Sequence, residues 1–326
     1  MAPGRPGRTK EHHVLSYRLR RTLSGLRQLA AATVVSFLLL YAASGDVARN
    51  LMGESATREQ VDQKAAQLGV DQPVWTQFAD WLGGAFQGDL GRSWFTGQEV
   101  TEAIGIRFPV TLSLIVGTTV LTALLSAVLG VWAGTRRGGA DRFVQVLSVL
   151  GVALPGFVVA LVLVTQFAIR LEWFPATGYT PVEVSFTGWL KSITLPVVAL
   201  TFGGMVFVTQ QLRGAVIDTL RQDWVRTLRT RGLSSRRILF VHVLRSAAGP
   251  AVSVLGLHFI GLVGGAVIIE QVFTLPGLGQ YTIGATASGD LPVVMGIVLL
   301  TAVVVFAANL ATDLAVGWLN PKARRS

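Results

Sequence analysis

The chain has 326 residues, of which 51% are hydrophobic and 14% charged, against roughly 25% charged in a soluble domain of average composition; its long apolar blocks point to lipid. A net charge of +10 raises nucleic acid as a partner, but the basic residues flank apolar spans instead of forming one face, so they read as arginines retained in cytoplasmic loops and nucleic acid is excluded. There is no cysteine, which rules out disulfides, thiolate metal sites and a cysteine nucleophile.

The predicted class is an all-α integral membrane protein of about six transmembrane helices, since a bilayer core needs roughly 20 apolar residues of helix. In chain order, a basic arm (1–27) carries Arg5, Arg8, Lys10, Arg18, Arg20, Arg21 and Arg27. The first apolar segment, 28–45, is the shortest and reads as an uncleaved helix. A signal peptide with Ala42 and Ser44 at the cleavage site is the alternative. The long loop 46–107 is net acidic and is predicted to hold two helices. One covers about 57–68 with Gly69 as its stop; the other starts near Pro73 and aligns Val74, Phe78, Trp81, Leu82 and Phe86, a stripe suited equally to a membrane surface or to internal packing.

Further spans are predicted at 108–135, 143–168, 192–212, 246–269 and 291–312. Gly130 and Gly134, and Gly261 and Gly265, have the small-xxx-small spacing that lets helices approach. Arg136, Arg137 and Arg142 occupy one short loop, and residues 213–245 carry eight arginines against Asp218 and Asp223. The tail 319–326 adds Lys322, Arg324 and Arg325, whereas 272–290 has neither Lys nor Arg. The positive-inside rule therefore places both termini in the cytoplasm. The string TLPGLGQ (274–280) forces a tight reversal between the last two spans.

Catalytic and nucleotide motifs are missing. No GxxxxGK[ST] loop surrounds Lys10, Lys64, Lys191 or Lys322, and there is no GxSxG, HExxH or EF-hand string. LSGLR (23–27) is a chance match to an ATPase signature, and His12 and His13 lie in a polar tail. Among ionisable groups in spans, Glu270 and Asp313 read as helix-end contacts with backbone or arginine, and His258 as a helix-to-helix hydrogen-bond donor. Three scattered groups make a poor relay for a proton-coupled carrier.

The most informative stretch is DTLRQDWVRTLRTRGLSSRRILFVHVLRSAAGP (218–250). Leu220, Trp224 and Leu228 recur at helical spacing with arginines on the other faces; Gly232 suits a helix stop, and Ser234 or Ser235 can cap the next helix. This helix–turn–helix unit suits a groove on a soluble partner. Neither a passive channel nor a membrane-embedded enzyme accounts for it.

On these residues the chain resembles the permeases of binding-protein-dependent ABC importers, in the dipeptide, oligopeptide and nickel branch. The family's loop reads close to DYxRTARAKGLSxRxV followed by HxLRNAxxP; here it is DWVRTLRTRGLSSRRI and HVLRSAAGP, with Trp224, Leu228, Thr230, Arg231 and Ser246 as departures. SGDVA, GDLGRS, LPGFVVAL, FPATGY, ITLPVVAL and GGAVIIEQVFTLPGLGQ resemble the same branch in the same order.

The resemblance implies a type I ABC importer permease fold, with a permease core over 108–318 and a cytoplasmic coupling loop over 213–248. Asp223, Arg226, Thr227, Arg229, Gly232 and Leu233 would engage a separate ATPase. It also implies a second, similar permease, one or two ATPases, an extracytoplasmic binding protein and a bacterial cytoplasmic membrane. ATP and Mg would sit on the ATPase, with no cofactor on this chain. Peptides are the expected cargo, nickel or another small solute the alternative, and no residue distinguishes them.

Overall fold

A computed structural model describes Gly25 and residues 27–42, 47–136 and 138–319. The basic arm up to residue 24, including His12 and His13, most of LSGLR, Ser44, Arg137 and the tail from 320 lie outside the described residues. What is described is nearly all helical. Helix α1 covers Arg27–Ala42, α2 Val47–Met52, α3 Arg58–Leu68, α4 Val74–Phe86, α5 Val100–Thr135, α6 Gly139–Ala153 and α7 Gly156–Leu163, which continues as a π turn, Val164–Arg170. Then come α8 Phe186–Leu220, α9 Asp223–Thr230, α10 Ser235–Arg237 with a π turn Ile238–Val243, α11 Leu244–Val272, α12 Leu278–Ser288 and α13 Leu291–Leu319.

Among the described residues, four helical rods are long and apolar enough to cross a membrane: Val100–Thr135, Phe186–Leu220, Ser235–Val272 and Leu291–Leu319. The pair α6 and α7, bent by 97°, occupies the stretch where the sequence predicts one crossing and raises the number to five if it crosses as one span. The cause of the bend lies in Leu154 and Pro155. Proline pushes its predecessor out of the helical region and donates no N–H, and Leu154 is extended at φ −94°, ψ 116°. The sixth apolar segment, α1, has only 16 residues.

The spanning helices also run past the charges that bound the apolar stretches, because a helix need not stop where lipid does. At 1.5 Å per residue α8, with 35 residues, is about 52 Å long against a hydrocarbon core of about 30 Å.

The described residues fall into two compact units, one within Met1–Ile106 and Thr282–Phe306, the other within Arg107–Tyr281 and Ala307–Ser326. In the first, α3 begins with a capping box, Thr57 and Gln60 bonding each other's backbone N–H, and stops at Gly69, φ +68°. Helix α4 starts directly after Pro73. Its apolar stripe packs internally: Val74, Phe78 and Trp81 lie against Phe37, Leu291 and Met295, while Phe86 is left exposed. Asp290 is buried and accepts from Ser93 Oγ at 2.5 Å and from the Trp94 N–H at 3.2 Å.

The second unit is organised on α8, the most buried of the spanning helices. A ladder of small residues on α5, at Thr118, Thr122, Ser126, Gly130 and Gly134, repeats every fourth position and so forms one face. The three hydroxyl residues are fully buried, and Ser126 Oγ donates to the Met205 carbonyl at 3.1 Å. A Cβ on Gly130 would lie 3.1 Å from Leu212 Cβ, and one on Gly134 3.0 Å from Val216 Cβ. This pair therefore does serve helix approach, whereas Gly261 and Gly265 have nothing within 4 Å. His258 lies against Gly204, where a Cβ would collide with its ring. Its Nε2 is buried without a hydrogen-bond partner among the described residues, so the expected helix-to-helix bond from this nitrogen is not made: the contact is steric packing on a glycine.

Two apolar clusters occupy opposite ends of α8. One gathers Ile193, Leu195, Val197 and Ala199 with Leu114, Ile269, Phe273 and Leu275. The other gathers Val208, Leu212 and Val216 with Val225, Ile238, Val243, Ala247 and Ala251, and on it rests the basic helix–turn–helix.

Candidate functional site

The site is built where α8 ends. Leu220 closes that helix, Arg221 and Gln222 make the turn, and α9 restarts with Asp223 in its first turn and Arg229 in its last, each suited to the local end of the helix dipole. The turn resets the helical phase. Leu220 therefore belongs to a different helix from Trp224 and Leu228, and the apolar stripe expected over these three is corrected. Val225 is the fully buried anchor of α9, Leu228 and Leu233 pack beside it on the same cluster, and Trp224 is turned outward, 37% exposed, with its Nε1 donating to Gln222 Oε1 at 2.5 Å.

Gly232 has φ +79°, a left-handed conformation that costs side-chain-bearing residues energy. It completes a Schellman closure: the Gly232 N–H donates to the Arg229 carbonyl at 3.0 Å and the Leu233 N–H to the Leu228 carbonyl at 3.3 Å. In this motif the residue after the glycine touches the residue that accepts its N–H. Leu228, the larger residue where the family pattern has alanine, is thus spent on the chain's own core and does not widen the outer face. Ser234 then caps α10, its Oγ accepting from the Arg237 N–H at 3.4 Å.

Asp223, Arg226, Thr227 and Arg229 are left on the surface, with Thr227 Oγ1 donating back to the Asp223 carbonyl at 3.2 Å. Arg226 stands 3.7 Å from Asp223, with side chains 76% and 96% exposed, so the pair constrains neither strongly. The six residues singled out from the sequence form one continuous unit: Gly232 and Leu233 hold it, and the other four face out. Sequence reasoning missed the anchor Val225 and an ion pair between α8 and α6, in which Arg213 pairs with half-buried Asp141 at the start of α6, 2.5 Å apart. The Asp141 signal was present, an acid in the first turn of a helix flanked by arginines.

At the other end of α8 the reversal TLPGLGQ is held by one carboxyl. Glu270 is fully buried and accepts from Thr111 Oγ1 at 2.6 Å and from the backbone N–H groups of Gly279 and Gln280, the latter at 3.0 Å. Thr111 Oγ1 in turn accepts from the Leu278 N–H at 2.8 Å. The backbone version of the helix-end reading therefore holds for Glu270. Gly277 and Gly279 are required by contact, since a Cβ on either would press into the Glu270 side chain.

Comparison with known families agrees with this geometry. Residues 126–325, which include the whole helix–turn–helix, match the binding-protein-dependent transport system inner membrane component family, and residues 14–115 match its N-terminal membrane component. The chain belongs to this family of ABC importer permeases. The permease is 35% identical over 307 residues to a Brucella abortus (strain 2308) protein named for a peptide transport system, covering 94% of this chain and 98% of that one. It is 32% identical over 311 residues to the oligopeptide transport system permease protein AppB of Bacillus subtilis (strain 168), covering 94% and 98%. In fold it resembles a chain of the MetNI methionine ABC transporter in inward-facing conformations, with TM-score 0.54 and 17% identity over 67% of this chain and 96% of that chain. The all-helical, multi-pass permease architecture expected from the sequence is thereby established.

Proposed function

We propose that this permease forms half of a peptide translocation pathway and receives its power stroke through α9, Gly232 and α10, seated in a cleft of a separate ATPase. The observation that carries this reading is the division of labour in the unit: Val225, Leu228 and Leu233 fasten it to the core beside α8, while Asp223, Trp224, Arg226, Thr227 and Arg229 are left to solvent. A rigid, outward-facing knob fixed to the most buried helix transmits displacement in either direction. The chain has no phosphate-binding loop, so ATP and Mg belong to the ATPase and this chain hydrolyses nothing.

In this reading the arginine-rich end lies in the cytoplasm with both termini. A second permease completes the pathway, one or two ATPases drive it, and a binding protein delivers cargo at the TLPGLGQ end. Peptide cargo is supported by the peptide and oligopeptide systems named among the relatives. The test is uptake of radiolabelled di-, tri- and penta-alanine into vesicles bearing the assembled transporter, with and without ATP. ATP-dependent uptake abolished by charge reversal at Arg229 is expected. Uptake that survives an inactivated ATPase and collapses with an uncoupler overturns the proposal.

A further inference from the structure

The second unit carries a concavity that none of the contacts above uses. Helices α6 and α8 meet at Gly151, where a Cβ would sit 3.2 Å from the Phe202 carbonyl, and the Asp141–Arg213 pair ties them again nearer the coupling end. Beside this line of contact opens a groove of about 750 Å³ whose walls include Ser148, Val149 and Val152 of α6 and Phe207, Gln210 and Gln211 of α8. That volume falls in the range of sites for small ligands, roughly 300–1,000 Å³.

Its polar groups are incompletely used. Gln210 Nε2 donates to Ser148 Oγ at 2.7 Å, and Ser148 Oγ donates to the Val144 carbonyl at 2.7 Å, so the Gln210 carbonyl oxygen remains available. Gln211 is exposed, and its carboxamide makes no hydrogen bond among the described residues. Gln210 and Gln211 close the apolar stretch predicted at 192–212, next to Arg213, so they sit near the polar boundary of the membrane and not at its centre. At that depth an exposed carboxamide such as that of Gln211 is hydrated, and the groove admits a polar occupant. Among the described residues no charged side chain lines the groove, so recognition there falls to carboxamides, which donate and accept as a peptide backbone does. Val149, Val152 and Phe207 offer unspecific apolar contact beside them.

We infer that this groove is the permease's cargo subsite, in which Gln210 and Gln211 read the main-chain N–H and C=O groups of an extended peptide whatever its side chains. The inference rests on the peptide-transport reading above. It is tested with the assembled transporter in proteoliposomes, comparing wild type with Gln210→Leu/Gln211→Leu and with Gln211→Asn, on radiolabelled di-, tri- and penta-alanine. The double leucine variant is expected to transport about tenfold less peptide per ATP hydrolysed, the loss of roughly one well-made hydrogen-bond pair. Its hydrolysis stimulated by loaded binding protein should stay within about twofold of wild type, as expected if assembly and coupling are intact. Gln211→Asn, with the same chemistry, restores most of the transport.

A second measurement does not depend on the leucine variant folding. Because the chain has no cysteine, Gln211→Cys gives one thiol, which a water-soluble reagent should modify and tri-alanine should protect. Wild-type uptake with unchanged transport per ATP in the double variant, or a Gln211→Cys thiol that peptide does not protect, overturns the groove alone. Absence of any peptide uptake by the wild type overturns the peptide reading itself, and the subsite with it.

Discussion

Replacing Gly232 isolates what the turn after α9 supplies. Nothing lies within 4 Å of a Cβ built there, so alanine meets no neighbour and the penalty is the backbone's alone: about 1–2 kcal/mol for a non-glycine residue held left-handed. The conformation is required by the Arg229 and Leu228 carbonyl bonds, so the penalty falls on the closure of α9. It corresponds to a factor of about 5–30 in the equilibrium between closed and frayed forms. Asparagine tolerates the left-handed region better than alanine, and a β-branched side chain worse. The expected order of closure is Gly232, then Asn, then Ala, then Val. Hydrogen exchange at the amides of Gly232 and Leu233 reads it directly, with protection falling about 5- to 30-fold in Gly232→Ala. Transport per ATP in the assembled transporter should fall in the same order. Equal protection in the glycine, alanine and valine forms would show that positive φ is not what Gly232 contributes.

Three other pairs of substitutions separate the contacts that hold the fold from those that do not. Val225→Ala removes a fully buried anchor and should destabilise the seating of α9 by about 1–3 kcal/mol, seen as lost amide protection over 223–233; Trp224→Ala should leave protection unchanged and weaken co-purification of the ATPase. Glu270→Ala strands the Thr111 hydroxyl and two backbone N–H groups, at about 1–3 kcal/mol each, and is expected to lower the melting temperature in detergent more than Glu270→Gln, whose carbonyl oxygen still accepts. Gly134→Leu overpacks the α5–α8 contact at a cost of about 1–3 kcal/mol or more, whereas at Gly265 a Cβ has nothing within 4 Å among the described residues, so Gly265→Ala should not lower the melting temperature of the isolated permease.

Much of this was legible from local signals. Thr57 with Gln60, Gly69 and Pro73 each act through their own backbone neighbourhood, so the ends of α3 and the start of α4 follow from the sequence. Gly232 and Ser234 mark the turn after α9 for the same reason. Long-range pairing is different. Val225 is one valine among polar residues, and only the phase reset at Arg221 and Gln222 aims it at Ile238 and Val243. Leu154–Pro155 carried a bend signal, but Pro109, Pro196 and Pro250 lie inside helices, so proline alone does not say which helix breaks. The ladder from Thr118 to Gly134 was half visible, because hydroxyl residues serve as small residues only when another helix presses on them. Glu270 marked itself as a buried acid, yet its partner Thr111 is 159 positions away.

The central claim, that α9 is the contact through which a separate ATPase moves this permease, is tested most directly by site-specific cross-linking on the cysteine-free chain. Cysteine at Arg229 on α9, with cysteine at Asp62 in the net acidic loop 46–107 as the control, is introduced into the assembled transporter and joined to its neighbours by a short thiol-reactive photo-cross-linker. The account predicts that Arg229→Cys captures the ATPase with a yield that changes with bound nucleotide, and that Asp62→Cys does not. Capture of the ATPase from Asp62→Cys, or its absence from Arg229→Cys in a transporter that still couples hydrolysis to uptake, would contradict it.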